Sequence, residues 1–230
     1  MIIISQNVFL VLGLIGFFIF IGIKKFKSEK GNLHSFNHKK IQKEEVFFYL
    51  FSMYLIGVCS KVYFPLTIAW GKDLQYNPPE MWLNPLFSIK EIYYLNGLGG
   101  FLYQIIGNLI MLSPLAFFLC YFYEESEEIL PFGNIFLRRI REFLRYLGRD
   151  KEIFIRGTKI PTLKAILKFC FFTSLFIECT QILVSLIFPN TKRFFEVNDI
   201  ICNTLSGALG YYIYIKLLNF NWIRKKVLNK

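Results

Sequence analysis

The stretch SLFIECTQILVSLIFPNTKRFFEVNDIICNTLSGALG, residues 174–210, decides how the chain is read. Ser174, Glu178, Gln181 and Ser185 recur at i, i+4, i+7 and i+11 within an apolar segment. Beyond the break Phe188-Pro189-Asn190, the residues Asp199, Asn203, Ser206 and Gly210 repeat that spacing. At 3.6 residues per turn, each set falls on one stripe of a helix. So short a connection makes the two helices antiparallel neighbours whose stripes face each other. Their surroundings are apolar enough for lipid, where an ionisable side chain is costly and marks function by default. The Ser and Gly positions read as packing, because small residues let helix backbones approach. Glu178 and Asp199 read as functional.

Working outward, 54% of the 230 residues are hydrophobic and the mean hydropathy is +0.43, more apolar surface than a soluble domain of this length carries. Several runs reach the roughly 20 residues that span a bilayer. The expected class is all-α, a polytopic transmembrane helix bundle of about five spans. The net charge of +11 raises the question of nucleic acid. The basic residues sit between apolar runs and no nucleic-acid motif appears, so no such partner is expected. The cysteines Cys59, Cys120, Cys170, Cys179 and Cys202 all fall in apolar segments without CxxC or Cys/His spacing, and read as small buried hydrophobes. His34 and His38 lie in a lysine-rich loop with no carboxylate pattern beside them, so no metal is expected there.

In chain order, residues 2–23 run apolar to the stop Lys24-Lys25-Phe26-Lys27 and read as a retained first span. The second span covers 46–69, ends at the interfacial Tyr63-Phe64-Pro65, and places Lys61 either at the interface or against a carboxylate such as Glu178. Asn77-Pro78-Pro79, Asn84-Pro85 and Gly97-Leu98-Gly99-Gly100 make 70–100 a loop or a pair of short interfacial pieces. The third span, 101–123, carries Gln104 and Asn108 one turn apart and a kink at Pro114. In the polar stretch 124–160, an acidic cluster (Glu124, Glu125, Glu127, Glu128) precedes an amphipathic helix over 135–149. Its residues 136, 137, 140, 143, 144 and 147 share one face opposite arginines, which suits an anionic membrane surface or a partner helix. The remaining spans are 164–188 and 199–218. The organisation is thus a first helix with its basic loop (1–45), a membrane core (46–218) and a basic tail (219–230).

Lys and Arg number seven in 24–45, eight in 124–160 and four after 219, against two each in 70–100 and 189–198. The positive-inside rule then puts the N-terminus outside and the C-terminus in the cytoplasm. At 1.5 Å per residue, Gln181 and Asn108 lie roughly 10 Å below the outer face and Glu178 roughly 15 Å. The expectation is an outward-open polar cavity roofed by the 70–100 loop, suited to an anionic or sugar-bearing ligand. Asp199 has other tasks open to it, as a helix cap or as the ion-pair partner of Arg193.

Phe176-Ile177-Glu178-Cys179-Thr180-Gln181, then Arg193, then Asp199-Ile200-Ile201-Cys202-Asn203-Thr204-Leu205-Ser206-Gly207-Ala208-Leu209-Gly210 resembles the VanZ family. Gly107-Asn108-Leu109-Ile110-Met111-Leu112-Ser113-Pro114-Leu115 is similar to that family's Asn-and-Pro segment, and Asn84-Pro85 to its preceding loop motif. The likeness covers about residues 46–218. It implies a multi-pass plasma-membrane protein of a Gram-positive bacterium, a link to low-level resistance to the glycopeptide teicoplanin, and no cofactor. The candidate ligand-binding residues are Asn108, Glu178, Gln181, Arg193, Asp199 and Asn203. The first functional reading is binding of an envelope lipid or lipid-bearing antibiotic at the outer leaflet. A membrane-embedded enzyme on a lipid-linked precursor, with Glu178 as acid or base, is the alternative; no HExxH, GxSxG or membrane-embedded His supports it. A small transporter is the third, without the inverted repeats it would call for.

Overall fold

The computed structural model describes residues 1–31, 43–74, 77–124, 131–149 and 151–220. His34, His38, the acidic cluster from Glu125 to Glu128 and the basic tail from residue 221 lie outside them. The chain divides into two units, one of residues 1–77 with 187–191, the other of 78–186 with the residues from 192 on.

In the first unit, β1 (Ile2–Ile4) leads into α1 (Gln6–Gly31), whose section Gln6–Ile23 has a mean hydropathy of 2.3 and no buried residue. A surface like that belongs in lipid. α2 (Lys43–Tyr63) packs on it through rings and one hydroxyl. Phe9 stacks on Phe64 at 4.2 Å, Phe17 meets Tyr49 edge-on at 5.9 Å, and Ser60 Oγ donates to the Gln6 carbonyl at 2.9 Å. β2 (Leu66–Ile68) pairs antiparallel with β1, Ile3 opposite Thr67. Thr191 Oγ1 accepts from the Thr67 amide at 2.8 Å, which ties the 187–191 bend to this unit. Lys61 is exposed. None of the candidate site residues belongs here.

The second unit begins with β3 (Glu80–Trp82) and α3 (Pro85–Met111). Asn84 starts α3 by accepting from the amides of Leu86 and Phe87, while Pro85 occupies a first-turn position where its missing N–H costs nothing. The sequence reading had the third span starting at 101; the structure carries the helix back to Pro85. Gly97 reconciles the two, since its φ of 66° and ψ of −176° break α3 into an arm, Pro85–Asn96, and a second section. A glycine adopts that backbone without Cβ strain. α4 (Ser113–Glu124) follows a second break at Leu112, beside the proline expected to kink this span.

α5 (Pro131–Gly148) buries Leu144 and Leu147 within the protein and leaves Tyr146 exposed. Lys168 Nζ donates to the Leu147 carbonyl at 3.1 Å, and Phe143 meets Phe169 edge-on. β4 (Glu152–Ile155) and β5 (Thr158–Pro161) form a hairpin closed by Arg156-Gly157, both at positive φ, as a type I′ turn requires. Glu152 holds it down, accepting from Tyr123 Oη at 2.8 Å and pairing with Arg145 at 3.0 Å and Lys159 at 2.6 Å.

α6 (Leu163–Ile187), β6 (Phe194–Glu196) and α7 (Val197–Asn219) complete the unit. β6 pairs in parallel with β3, Trp82 opposite Glu196. α7 packs most closely on α4 and α3. A Cβ on Gly210 would stand 2.0 Å from the Ser113 carbonyl oxygen, and one on Gly207 2.6 Å from Cys170 Sγ. The small residues are therefore contact points, as their spacing suggested. The single facing stripe needs correcting, however. Asn203 and Gly207 look toward α6, whereas Gly210 lies against the junction of α3 and α4. The fold is the expected all-α polytopic class. Among the described residues four segments are long and apolar enough to cross a membrane: Gln6–Ile23, Glu45–Tyr63, Pro85–Tyr123 and Leu163–Ile187. α7 stands where the fifth span was expected, but its polar positions keep it out of that set.

A buried carboxylate network as the candidate functional site

The polar stripe of α6 is buried by what packs on it. Glu178 is 2% exposed, and its Oε2 accepts from the backbone N–H of Glu196 at 3.0 Å. Glu196 is the N-cap residue of α7, so a side chain of one helix satisfies a donor at the start of the next. The Glu196 carboxylate then turns to α3. Its Oε2 accepts from Ser88 Oγ at 2.9 Å, on the arm before Gly97, and from Gln104 Nε2 at 3.2 Å, beyond the break. Asp199 takes the hydrogen bond of Asn108 Nδ2, and in the first turn of α7 its charge favours the helix dipole. Asn198 Nδ2 donates to the Pro85 carbonyl at 2.9 Å, fixing the arm to the same helix start. Glu178 interacts electrostatically with both Asp199 and Glu196, so the three carboxylates form one cluster.

Deeper along α7, Asn203 Nδ2 donates to Ser174 Oγ at 3.0 Å. Asn203 is 1% exposed, and its Oδ1 meets no hydrogen-bond partner among the described residues; the same holds for Ser206 Oγ. Turning the amide over moves the deficit to the nitrogen without removing it. An unmet buried polar atom costs about 1–3 kcal/mol, which packing alone gives no reason to retain.

The hydrogen bonds that the three carboxylates take from Ser88, Gln104, Asn108 and the Glu196 amide all come from neutral donors. Burial pushes the Glu196 carboxyl above the usual carboxylate range, with the Ser88 and Gln104 hydrogen bonds working against it. Arg193 sits half-buried where the chain leaves α6, its amide donating to Ser185 Oγ at 2.9 Å, and burial lowers its guanidinium. Lys192 pairs with Glu80 at 2.7 Å, across the β3–β6 ladder. Gln181 is half-buried, one turn further along α6 than Glu178. Thus Asn108, Glu178 and Asp199 join one network, Asn203 pairs separately with Ser174, and Gln181 and Arg193 lie on the stretch that leads from α6 to β6.

Two expectations change. The site is a packed network and not an outward-open cavity, since Glu178, Glu196, Asn198 and Asn203 are all buried. It also contains Ser88, Glu196 and Asn198, which periodicity missed. Glu196 was legible only as an acid just after two phenylalanines, three positions before Asp199; its partner Ser88 lies 108 residues away. Among the described residues no group of His, Cys, Asp or Glu is arranged to hold a metal.

Residues 51–220, roughly three quarters of the chain, match the family described as VanZ/LLP1. No curated protein and no solved structure matches.

Proposed function

The chain belongs to the VanZ/LLP1 family, and from that premise we propose that it is a multi-pass plasma-membrane protein of a Gram-positive cell envelope. In this reading its N-terminus lies outside and its C-terminus in the cytoplasm, as the Lys and Arg distribution favours. The carboxylate network then lies in the outer half of the bilayer. It engages the sugar-bearing head of an envelope lipid, or a lipoglycopeptide of the teicoplanin type, and lowers susceptibility to that antibiotic.

The observation that carries this reading is the chemistry of the cluster. Glu178, Glu196 and Asp199 accept hydrogen bonds from neutral donors, and one turn along α7 from Asp199 the buried amide oxygen of Asn203 is left over. Such a site offers acceptors, which suit the hydroxyls and amides of a glycan or glycopeptide. An anionic head group would meet Glu178, Glu196 and Asp199 as like charges. Access runs through the arm Pro85–Asn96, held over the network by the Ser88 and Asn198 hydrogen bonds and joined to the rest of α3 at Gly97.

The test is teicoplanin susceptibility of a sensitive Gram-positive host expressing the protein, beside Glu178→Gln at matched membrane levels and with vancomycin for comparison. The proposal expects reduced susceptibility to teicoplanin that Glu178→Gln abolishes. It fails if the wild-type protein confers none, or if the variant protects equally well.

A further inference from the structure

A concavity of about 840 Å3 lies away from the carboxylate network, between α5, α6 and α7. Phe143 and Tyr146 of α5, Phe171 and Phe172 of α6 and Thr204 of α7 line it, together with one cation, Lys168. Its size falls within the roughly 300–1,000 Å3 of small-molecule sites. The four aromatic residues are all substantially exposed, Tyr146 most of all at 76%. An apolar trough lined by rings, on a helix apolar enough for lipid, fits a hydrocarbon chain.

The surroundings of the trough say which lipid. Between residues 138 and 168 the chain carries ten Lys and Arg against three Asp and Glu. Several of these cations are engaged: Arg145 and Lys159 with Glu152, Arg138 and Arg139 with Glu142. Lys168 is placed differently. Its ammonium spends one donor on the Leu147 carbonyl and has two more to offer at the edge of the apolar lining. Lys164, exposed, lies one turn earlier on the same face of α6. Lys168 in the lining, with the exposed Lys164 one turn from it, complements a phosphate carried on an acyl chain. A zwitterionic head places its own cation against them.

We propose that the groove between α5, α6 and α7 is a binding site for an anionic phospholipid, its acyl chain along Phe143, Phe171 and Phe172 and its phosphate at Lys164 and Lys168. The site is separate from the carboxylate network and independent of what that network binds. It gives the exposed rings of α5 an occupant.

The experiment is native mass spectrometry of the full chain purified in detergent and titrated with phosphatidylglycerol, with phosphatidylcholine, or with inorganic phosphate. Phosphatidylglycerol is expected to be retained several-fold better than phosphatidylcholine, and millimolar phosphate is expected not to displace it. Lys164→Gln, at an exposed position outside the hydrogen-bond framework, is expected to cut retention by about fivefold, the worth of one surface Lys or Arg near an anionic lipid. Lys168→Gln does at least as much, and Thr204→Phe, which fills the trough, removes both lipids. Arg156→Gln at the hairpin tip leaves retention unchanged. Equal retention of the two phospholipids, or indifference to Lys164→Gln, overturns the proposal. Full displacement by inorganic phosphate assigns the cations to a free anion and overturns the acyl part. Preferential capture of an acidic amphipathic peptide over phosphatidylglycerol makes the groove a helix-docking site and overturns it as well.

Discussion

Replacing Gly210 with alanine tests the packing that brings α7 to the network. A Cβ at this position would lie 2.0 Å from the Ser113 carbonyl oxygen, 2.8 Å from its carbon and 3.0 Å from the Ala116 Cβ. The nearest obstacles are backbone, so no side chain can swing aside and the helices must separate. Overpacking of this kind costs about 1–3 kcal/mol, and a clash with main chain belongs at the upper end. Alanine returns about 1 kcal/mol through helix propensity, leaving a net loss of about 2 kcal/mol. For a chain of this size, each kcal/mol moves the melting point by about 2–4 °C, so Gly210→Ala should melt about 4–8 °C below wild type. The assay is loss of the monodisperse peak in detergent after stepwise heating. Gly22→Ala serves as control, since nothing lies within 4 Å of a Cβ there. A Gly210→Ala protein that melts with or above wild type refutes the close approach of α7 to the α3–α4 junction.

Other outcomes follow from the same geometry. Glu178→Gln keeps an oxygen for the Glu196 amide, while Glu178→Ala leaves that buried donor unmet at about 1–3 kcal/mol; equal melting points for the two would show the hydrogen bond contributes nothing. Glu196, raised by burial, favours the fold fully below the ordinary carboxylate range, and that contribution is lost as pH rises through its folded value. Glu152 runs the other way: its burial would raise it, but Lys159, Tyr123 and Arg145 together hold it low, so its contribution is present above the ordinary range and lost as pH falls. Melting curves of Glu196→Gln and Glu152→Gln against wild type should therefore diverge in opposite pH directions, and slopes of the same sign would contradict both assignments. Gly97→Ala places a Cβ at φ 66° and ψ −176°, a backbone region essentially reserved to glycine and costing about 1–3 kcal/mol, and should lower the melting point by a few degrees; an unchanged value would mean the break is not held there.

Residues whose partners lie on the same or the adjacent helix were legible. Helical spacing alone picked out Glu178, Asp199 and Asn203 on α6 and α7, and the small residues through which α7 packs, Gly207 toward α6 and Gly210 against the α3–α4 junction. Asn108 needed only a neighbouring apolar span with an amide in it. What periodicity cannot carry is a contact made by a ladder between distant segments. Ser88 reaches Glu196 because β3 and β6 pair in parallel, and nothing local to either segment announces that. The arm before Gly97 was obscured for another reason. A cluster of glycines discourages a continuous helix, yet only Gly97 adopts a non-helical conformation within α3, and Leu98 onward resumes the helix. The β4–β5 hairpin left a usable signal, Arg156-Gly157 between two β-branched segments, which the charge pattern of the surrounding loop overshadowed.

The polarity of α7 also bears on how such a protein is made. A translocon sorts each helix by its own partition free energy, and Asn, Asp and Ser at mid-helix positions weigh against release into lipid. α7 does not reach the apolar threshold that four other segments pass. Asn108 of α3 bonds its Asp199, Glu178 of α6 bonds the amide of its N-cap residue, and Ser174 of α6 bonds its Asn203; α3 and α6 are both synthesised earlier. In the multi-pass reading proposed above, insertion of this helix is a late, cooperative step that waits on a prepared surface. A substitution on α3, far from α7 in the chain, can in this way act first as a defect of biogenesis and only afterwards as one of function.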